Sequence, residues 1–235
     1  MVNAVQKTYP KSCKQCDIEH CFIKQYCDDE WLSLLEMHKS VIDFPKGSRI
    51  FSEGQSVQGI YIIYSGKVKV LSSFDHKTER IIRLASDGDL LGHRGFGGDD
   101  TYPISAETLT PTKIAFIPTH IFMNIVKANH KLTYHMMLFF AEELRTSEGN
   151  MRKLSHLSVK ARVACSLMLN ANVFGYNEEG SLAFTLSRKD LANLAATTYE
   201  TVIRSLKELA KENIIQLHGK SIQVIDFQRL NAYCH

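Results

Sequence analysis

Four cysteines stand close together near the start of the chain, and their type and spacing suit metal or redox chemistry. They form a C-x2-C-x4-C-x5-C pattern made of Cys13, Cys16, Cys21 and Cys27. Four thiolates favour an iron–sulfur cluster or a zinc ion, because both groups prefer tetrahedral sulfur ligands. A thiol–disulfide switch and a set of free thiols remain as alternatives. A disulfide framework is not expected, since the N-terminal residues lack the apolar stretch of a secretory signal.

Two further cysteines and one histidine are given structural interpretations. The apolar surroundings of Cys165 in the sequence predict a core position on a helix. Cys234, next to the last residue, is expected to be exposed and without a role. His20 lies between the clustered cysteines, and we expect a solvated loop side chain there rather than a ligand.

A second group of residues with chemical potential lies near the C-terminus. The stretch Ala161–Ala171 is apolar at a helical period and predicts a helix. Beyond it two short helical patterns, Arg188–Leu194 and Thr198–Glu212, are separated by only a few residues, which is typical of a helix-turn-helix. Glu200 and Arg204 share one face of the second pattern. Arginine can bind guanine O6 and N7, and glutamate can accept a hydrogen bond from cytosine N4. The alternative interpretation is an ordinary ion pair on a solvated helix face.

The residues around these two helices support a double-stranded DNA partner. Ser187 is predicted to cap the first helix and Thr197 or Thr198 the second. A β-hairpin with its turn at His218-Gly219-Lys220 is predicted to follow. The predicted DNA-binding residues are Arg188, Thr198, Tyr199, Glu200, Thr201, Arg204, Lys207, His218 and Lys220.

Short runs of β-branched and aromatic residues, punctuated by glycine, fill the first half of the chain. Their spacing predicts an all-β barrel or jelly roll. The predicted strands are Ser48–Ser52, Gly59–Tyr64, Lys67–Ser72, Arg80–Leu84 and Lys113–Ile117.

The pattern changes to a helical period from Ile121 to Ser158. Within this stretch a seam of 3-4 spacing is apolar at five of seven positions. Its members are Met137, Phe140, Leu144, Ser147, Met151, Leu154 and Ser158. The seam packs either on the β domain of its own chain or on its twin in a homodimer.

Composition and sequence patterns exclude several classes of protein. Of the 235 residues 44% are hydrophobic and 23% charged, which is ordinary for a globular protein, and the net charge is 28 − 25 = +3. No apolar run approaches the roughly 18 residues that a membrane-spanning helix needs, so we expect no membrane partner and a cytoplasmic location. The chain shows neither a catalytic triad nor a glycine-rich phosphate loop, so an enzyme is not expected. An enzyme using the cysteines and a scaffold whose helix-turn-helix binds protein are the rival classes.

Three segments, in the right order, resemble one family: the run from Gly59, the run from Gly88 and the two helices of the helix-turn-helix. Leu186-Ser-Arg-Lys-Asp-Leu-Ala and Thr198-Tyr-Glu-Thr-Val-Ile-Arg-Ser-Leu are similar to the winged helix-turn-helix of the cyclic-AMP receptor and fumarate–nitrate reduction (CRP/FNR) family of bacterial transcription regulators. Gly59-Ile-Tyr-Ile-Ile-Tyr-Ser-Gly-Lys-Val-Lys-Val and Gly88-Asp-Leu-Leu-Gly look like the family's cyclic-nucleotide-binding jelly roll. The resemblance covers roughly residues 30–230.

This resemblance implies an α+β fold with four parts. They are a cysteine-rich N-terminal segment (1–30), a cyclic-nucleotide-binding-type β jelly roll (31–120), a long dimerisation helix (121–158) and a winged helix-turn-helix (159–235). It also implies a homodimer, base reading by Glu200 and Arg204 in a TGA-like half-site, and contact with RNA polymerase. Tyr199, Ile203 and Ala196 depart from the family's usual residues, which leaves the operator sequence open.

The resemblance implies an effector pocket, but not one for cyclic AMP. The family's Glu and Arg, which hold the ribose and the cyclic phosphate, are replaced by His93 and Ile104. A buried phosphate without its cation partner is costly. A pocket for another ligand is expected from Gly92, His93, Arg94, Ile104 and Ser105.

The oxygen-sensing branch of the family implies a [4Fe–4S] cluster on the four clustered cysteines. That branch takes three ligands from the N-terminus and one from the β domain, whereas here Cys27 would be the fourth. The predicted function is therefore a DNA-binding regulator controlled by redox or oxygen state. The alternative is a regulator that senses a small ligand in the β pocket, with a structural zinc or a thiol–disulfide role for the cysteines.

Overall fold

The computed structural model describes residues 12–73 and 78–234. Residues 1–11, which belong to the predicted cysteine-rich segment, lie outside the described residues. The chain divides into two compact units. One contains the residues up to Val68 together with Ser86–Phe139, and the other contains Lys69–Ala85 together with the residues from Phe140 onward. The predicted α+β class is confirmed.

The first unit begins with two short helices that sequence patterns did not predict, α1 (Phe22–Tyr26) and α2 (Asp29–His38). Four antiparallel strands follow in the order β1-β8-β3-β6. Their bounds are β1 Ser40–Phe44, β3 Gly59–Ser65, β6 Leu90–Leu91 and β8 Thr112–Pro118.

Strand β3 is one of the two inner strands of this sheet, and six of its seven residues are buried. Its apolar run Gly59-Ile-Tyr-Ile-Ile-Tyr is therefore explained by burial on both faces. Gly59 permits close strand contact, because a Cβ at this position would lie 2.1 Å from the carbonyl oxygen of Ile117.

A second four-stranded sheet has the order β2-β7-β4-β5. Its strands are β2 Arg49–Phe51, β4 Val68–Ser73, β5 Glu79–Ala85 and β7 Ser105–Thr108. All five predicted strands are confirmed within two residues at each end, whereas β1, β6 and β7 were not predicted.

The predicted helical stretch 121–158 is divided in two, α3 (Thr119–Ala128) and α4 (His130–His156). Asn129, which is buried, separates them. Its side-chain oxygen accepts a hydrogen bond from the backbone N–H of Leu132 at 2.9 Å and so caps the start of α4. The division therefore has a specific polar cause.

The apolar seam of α4 is exposed. Met137, Leu144 and Met151 expose 58%, 62% and 63% of their surface. Within the described residues these three side chains are largely exposed rather than packed on the β domain of their own chain, which favours the homodimer interpretation. An exposed apolar stripe of this length is typical of a helix that pairs with a partner.

Six helices and strands follow α4 in the described part of the second unit. Sequence patterns predicted five of them. The predicted elements are α5 Val159–Phe174, α6 Arg188–Leu194, α7 Tyr199–Lys211, β9 Ile215–His218 and β10 Ser221–Val224. In the hairpin Ser221 pairs with His218, so the turn is Gly219-Lys220 alone. The unpredicted element is a short C-terminal helix, α8 (Phe227–Ala232).

Strand β5 belongs to this second unit and contacts α6 through polar groups. The side-chain nitrogen of Asn193 donates to the carbonyl of Glu79 at 2.6 Å, and its oxygen accepts from the N–H of Ile81. Lys69 forms a salt bridge with Asp190 at 2.9 Å. No helix within residues 12–73 and 78–234 has the length and apolar character needed to cross a bilayer.

Candidate nucleic-acid interface and cysteine site

The two helices of the helix-turn-helix are defined by local hydrogen bonds. Ser187 caps α6, with its hydroxyl accepting from the N–H of Asp190 at 3.0 Å. Thr198 caps α7, with its hydroxyl accepting from the N–H of Thr201 at 3.3 Å. The turn between them passes through Ala196, which has a positive φ of 51°. The predicted caps are confirmed, with Thr198 rather than Thr197 capping α7.

Helix α7 is strongly amphipathic. Val202, Leu206 and Leu209 are fully buried, as their helical spacing predicted. The N-terminal half of the opposite face is solvent-accessible, and its exposed residues are Tyr199, Glu200, Arg204 and Lys207. The buried stripe fixes this face outward, which is the arrangement that presents a helix to a DNA groove.

Glu200 and Arg204 line an open groove on the exposed face. No ion pair joins them in the part of the chain that the structure describes. The groove residues are Glu200, Ile203, Arg204, Lys207, Glu208 and Lys211. Both side chains are therefore available for external partners.

Lys211 was not among the predicted DNA-binding residues. It is exposed and lines the same groove as Lys207, one helical turn further along α7. Its i,i+4 spacing from Lys207 could have indicated from the sequence that the two lysines share one face of the helix.

The remaining predicted DNA-binding residues occupy three places. Arg188 is half-buried and lies near the hairpin turn, with its guanidinium 3.5 Å from the carbonyl of Gly219. Burial lowers the pKa of Arg188, yet a guanidinium stays charged at neutral pH. His218 and Lys220 are exposed on the hairpin. The Thr201 hydroxyl lies 3.0 Å from that of Thr198 and so joins the α7 cap.

Three of the four clustered cysteines meet at one cavity in the first unit. Cys13, Cys16 and Cys21 line it. Its other walls are mainly apolar, formed by Ile18, Ile23, Leu35, Ile62, Tyr64 and Ala115, with Lys24 and Lys39. The Lys39 ammonium donates to the Cys13 sulfur at 3.2 Å. A cation beside the sulfurs would stabilise negatively charged thiolates.

Cys27 does not line this cavity. Its sulfur accepts a hydrogen bond from the side-chain amide of Asn129 at 3.8 Å. Burial raises the pKa of Cys27 to about 12, with the Asp28 carboxylate adding to the effect. Burial also raises the pKa values of Cys13 and Cys21. These thiols are protonated at neutral pH, so a metal would displace protons on binding.

The four cysteines supply the donor atoms that an iron–sulfur cluster needs, but the structure brings only three of them to one cavity. Four sulfurs form the ligand set such a cluster takes, and three of them face one cavity. Within residues 12–73 and 78–234, no three His, Cys, Asp or Glu side chains already have metal-holding geometry. Side chains of the segment must therefore rearrange for all four sulfurs to bind one group.

Aromatic contacts join the cysteine segment to α4. The rings of Phe22 and Phe139 lie 5.3 Å apart, and Tyr26 stacks on His135 at 3.8 Å. Phe139 also meets the ring of His93 edge-on at 4.9 Å. Phe139 of α4 thus contacts both α1 and the predicted effector pocket.

The predicted pocket residues lie in the interior of the first unit. Gly92, His93, Ile104 and Ser105 are buried, and Arg94 is half-buried. The Ser105 hydroxyl accepts from the N–H of Glu53 at 2.9 Å. Gly92 has a φ of 82° and lies beside tyrosine rings. Its role in ligand binding stays a prediction.

Aromatic rings fill the space next to Gly92. Phe51 stacks on Tyr102 at 4.3 Å and on Tyr61 at 5.4 Å. The Tyr102 hydroxyl donates to the carbonyl of Gly59 at 2.8 Å, and burial raises the pKa of Tyr61. These rings, rather than charged groups, form this part of the barrel interior.

The two distant cysteines correct a prediction. Cys234 is buried, and it forms a disulfide with Cys165. The expectation of an exposed Cys234 was wrong, because α8 returns the C-terminus to α5. Cys165 lies on that helix as predicted, but it is half-buried and disulfide-bonded rather than a core side chain. His20 is exposed, as predicted.

Two known domain families match the chain. Residues 41–129 match the cyclic nucleotide-binding domain, and residues 161–233 match the Crp-like helix-turn-helix domain.

Curated relatives extend over most of the chain. A CRP-like cAMP-activated global transcriptional regulator of Mycobacterium tuberculosis strain H37Rv is 29% identical over 191 residues, which are 80% of this chain and 85% of the relative. The fumarate and nitrate reduction regulatory protein of Vibrio cholerae is 26% identical over 223 residues, 93% of this chain and 88% of its own.

A solved structure supports the fold. FixK2 from Bradyrhizobium japonicum superposes with a TM-score of 0.74 at 21% identity, covering 83% of this chain and 96% of that one. At this identity the similarity establishes the architecture alone.

Proposed function

The chain belongs to the CRP/FNR family of bacterial transcription regulators, and we propose that an iron–sulfur cluster on its N-terminal cysteines sets its affinity for DNA. DNA binding by a helix-turn-helix and action as a dimer are properties of this family. The observation that supports the proposal is the convergence of Cys13, Cys16 and Cys21 on one cavity.

The DNA-reading part of the proposal rests on α7. Arg204 reads guanine and Glu200 reads cytosine, since both are exposed and neither is engaged in an ion pair within the described residues. Thr198, Lys207 and Lys220 contact phosphates and so fix the register of the helix on the duplex. Tyr199, Thr201, Arg188 and His218 complete the proposed contact surface.

The cysteine part of the proposal concerns four ligands. The cluster ligands are Cys13, Cys16, Cys21 and Cys27. To bind the metal, the Cys27 sulfur gives up the hydrogen bond that it accepts from Asn129. A bound cluster supplies a group whose integrity depends on oxygen and redox state. Lys39 offsets the negative charge of the thiolates at the Cys13 side.

The link from the cysteines to DNA passes through α4. Phe22 and Tyr26 of α1 pack on Phe139 and His135 of α4. A change in the cysteine segment therefore alters the packing against the helix whose exposed seam pairs with the partner copy. A helix pair with two arrangements is a suitable element for switching DNA binding.

A second candidate function is sensing of a small ligand, other than cyclic AMP, in the β barrel. The contact between His93 and Phe139 favours it, because a ligand that displaced His93 would act on the same α4 residue. The cysteines would then hold a structural zinc or form a thiol–disulfide pair. In either case we place the regulator on chromosomal DNA in the cytoplasm, with RNA polymerase as a further partner.

The test is chemical analysis of the full chain purified without oxygen. We expect about four iron and about four sulfide per chain, and broad absorption near about 400 nm that bleaches in air. DNA selected from a random pool by the anaerobic protein would then bind at least about tenfold more weakly after air exposure. Cys16→Ala should abolish both the absorption and the oxygen response.

The matched control is the double variant Cys165→Ser/Cys234→Ser, which leaves the N-terminal cysteines intact and should retain the cluster. Zinc in place of iron would make the segment structural. A chain that stays free of metal after reconstitution, and binds DNA equally with and without air, would overturn the proposal in favour of the β-barrel ligand.

A further inference from the structure

A second pair of cysteines lies in the DNA-binding unit, remote in sequence from the N-terminal four. Cys165 and Cys234 are disulfide-bonded, with Cα atoms 5.4 Å apart. This spacing falls within the range of about 4.4–6.8 Å that a disulfide needs. The backbone therefore already holds the two residues in bonding position.

The bond closes a loop that contains the whole helix-turn-helix. The two cysteines are 69 residues apart in sequence, and α6, α7, the hairpin and α8 all lie between them. Closing such a loop removes conformations from the unfolded chain, so the native state gains stability.

Polar contacts place the same C-terminal segment against the end of α7. Glu212, the residue that follows α7, accepts from the Tyr233 hydroxyl at 3.0 Å and forms a salt bridge with Lys160 of α5. Arg229 of α8 donates to the Glu212 carbonyl at 3.1 Å. The segment that carries Cys234 thus contacts both α5 and the end of α7.

Exposure differs between the two sulfur-bearing residues. Cys165 is half-buried, whereas Cys234 exposes 8% of its surface. A small thiol reagent reaches the pair more readily from the Cys165 side. Because Cys234 is shielded from such reagents, a mixed disulfide at Cys165 is resolved by Cys234, and the pair returns to its bonded form.

We propose that Cys165 and Cys234 form a reversible thiol–disulfide pair, and that its closed form stabilises the helix-turn-helix unit. The oxidant is a low-molecular-weight disulfide of the glutathione type. The Cys165 thiolate attacks this disulfide, giving a mixed disulfide and releasing one small thiolate. The Cys234 thiolate then attacks the Cys165 sulfur and releases the second. The pair loses two protons and two electrons, and the small disulfide becomes two thiols.

The experiment uses the full chain, equilibrated anaerobically with oxidised or with reduced glutathione. Free thiols are then alkylated, and the peptides that contain Cys165 and Cys234 are analysed by mass spectrometry. In the oxidised sample we expect most chains to carry the Cys165–Cys234 cross-link. We also expect a melting temperature about 5 °C or more above that of the reduced sample.

Two variants separate this pair from the N-terminal cysteines. Cys165→Ser/Cys234→Ser should melt at the same temperature in both glutathione conditions, whereas Cys13→Ser/Cys16→Ser should keep the full difference. If the double serine variant fails to fold, the oxidised and reduced wild type still decide the question. Cross-links to other cysteines, no cross-link, or a cross-link with a melting shift under about 1 °C would overturn the proposal.

Discussion

The rings of Phe22 and Phe139 lie 5.3 Å apart with their planes tilted by 53°. Phe22 begins α1, directly after Cys21, and Phe139 lies on α4 beside the exposed seam. This contact connects the cysteine segment with the helix that carries the exposed seam, as does the stacking of Tyr26 on His135.

Phe22→Ala removes this contact, and we expect two effects. The free energy of unfolding should fall by about 1–3 kcal/mol, less than for a fully buried ring because Phe22 is half-buried. DNA affinities measured with and without oxygen should also move closer together, since one of the two aromatic contacts between α1 and α4 is lost. Urea unfolding and fluorescence anisotropy measure these effects.

The control for this change is Met37→Ala, which removes a side chain that is 73% exposed on α2. It should change neither quantity appreciably. An unchanged oxygen response in Phe22→Ala would show that the signal reaches DNA by another route.

Arg204→Ala should weaken binding to the selected DNA by about 5- to 150-fold, which corresponds to about 1–3 kcal/mol for one guanine contact. It should also relax the preference at one base pair, because the discriminating hydrogen bonds are lost. Binding to a panel of single-base operator variants measures both effects. Equal losses on every sequence would instead identify Arg204 as a phosphate contact.

Lys211→Ala tests the cation that sequence patterns missed. We expect uniformly weaker binding across DNA sequences and a salt-dependence slope smaller by about 1, since one phosphate contact is lost. Lys46→Ala is the matched control, because Lys46 is an exposed lysine of the other unit. Identical slopes for both variants would remove Lys211 from the interface.

Ala196→Gly should stabilise the protein by about 0.5–1 kcal/mol. Ala196 has a φ of 51°, a left-handed conformation that is costly for a residue with a Cβ and free of that cost for glycine. Ala210→Gly, inside α7, provides the opposite control and should destabilise by about 0.5–1 kcal/mol. Chemical denaturation of the three proteins compares these effects, and destabilisation by Ala196→Gly would show that the turn tolerates alanine without strain.

Glu212→Gln should reduce the dependence of stability on acid pH. The hydrogen bonds from Lys160 and then Tyr233 lower the pKa of Glu212 from its ordinary value of 4.5. A lowered pKa in the folded state gives stability that is present above 4.5 and lost as the pH falls through the folded value. The stability difference between wild type and Glu212→Gln should therefore stay constant from about pH 7 to about pH 5 and shrink as the pH falls further, towards about pH 3.

Urea unfolding across that pH range measures this difference, with Glu208→Gln as the control on the exposed face of α7. Parallel stability curves for wild type and Glu212→Gln would contradict the role assigned to the carboxylate.

The parts of the fold encoded by nearby residues were predictable. The bounds of α6 were predicted correctly and those of α7 within one residue, because a capping hydroxyl and a buried stripe define both helices locally. Strand β6 has only two residues and exists through its pairing with β3, so no sequence period could indicate it.

The parts that depend on tertiary contacts were not predictable. Asn129 ends a helical pattern because its side chain is buried against Leu132 and Cys27. Clustering of cysteines in the sequence predicted a shared site, but only the fold shows that Cys27 lies apart from the cavity. The Cys165–Cys234 pair depends on α8, which returns the C-terminus to α5.

The exposed seam of α4 has a consequence for dosage. Because the DNA-binding form in this family is a dimer, its amount follows the law of mass action, and at low protein levels it rises with the square of the chain concentration. A twofold change in synthesis would then give up to a fourfold change in operator occupancy. In a dimer formed through this seam, the exposed side chains Met137, Leu144 and Met151 would contribute to the dimer dissociation constant and so to the expression level at which regulated genes respond.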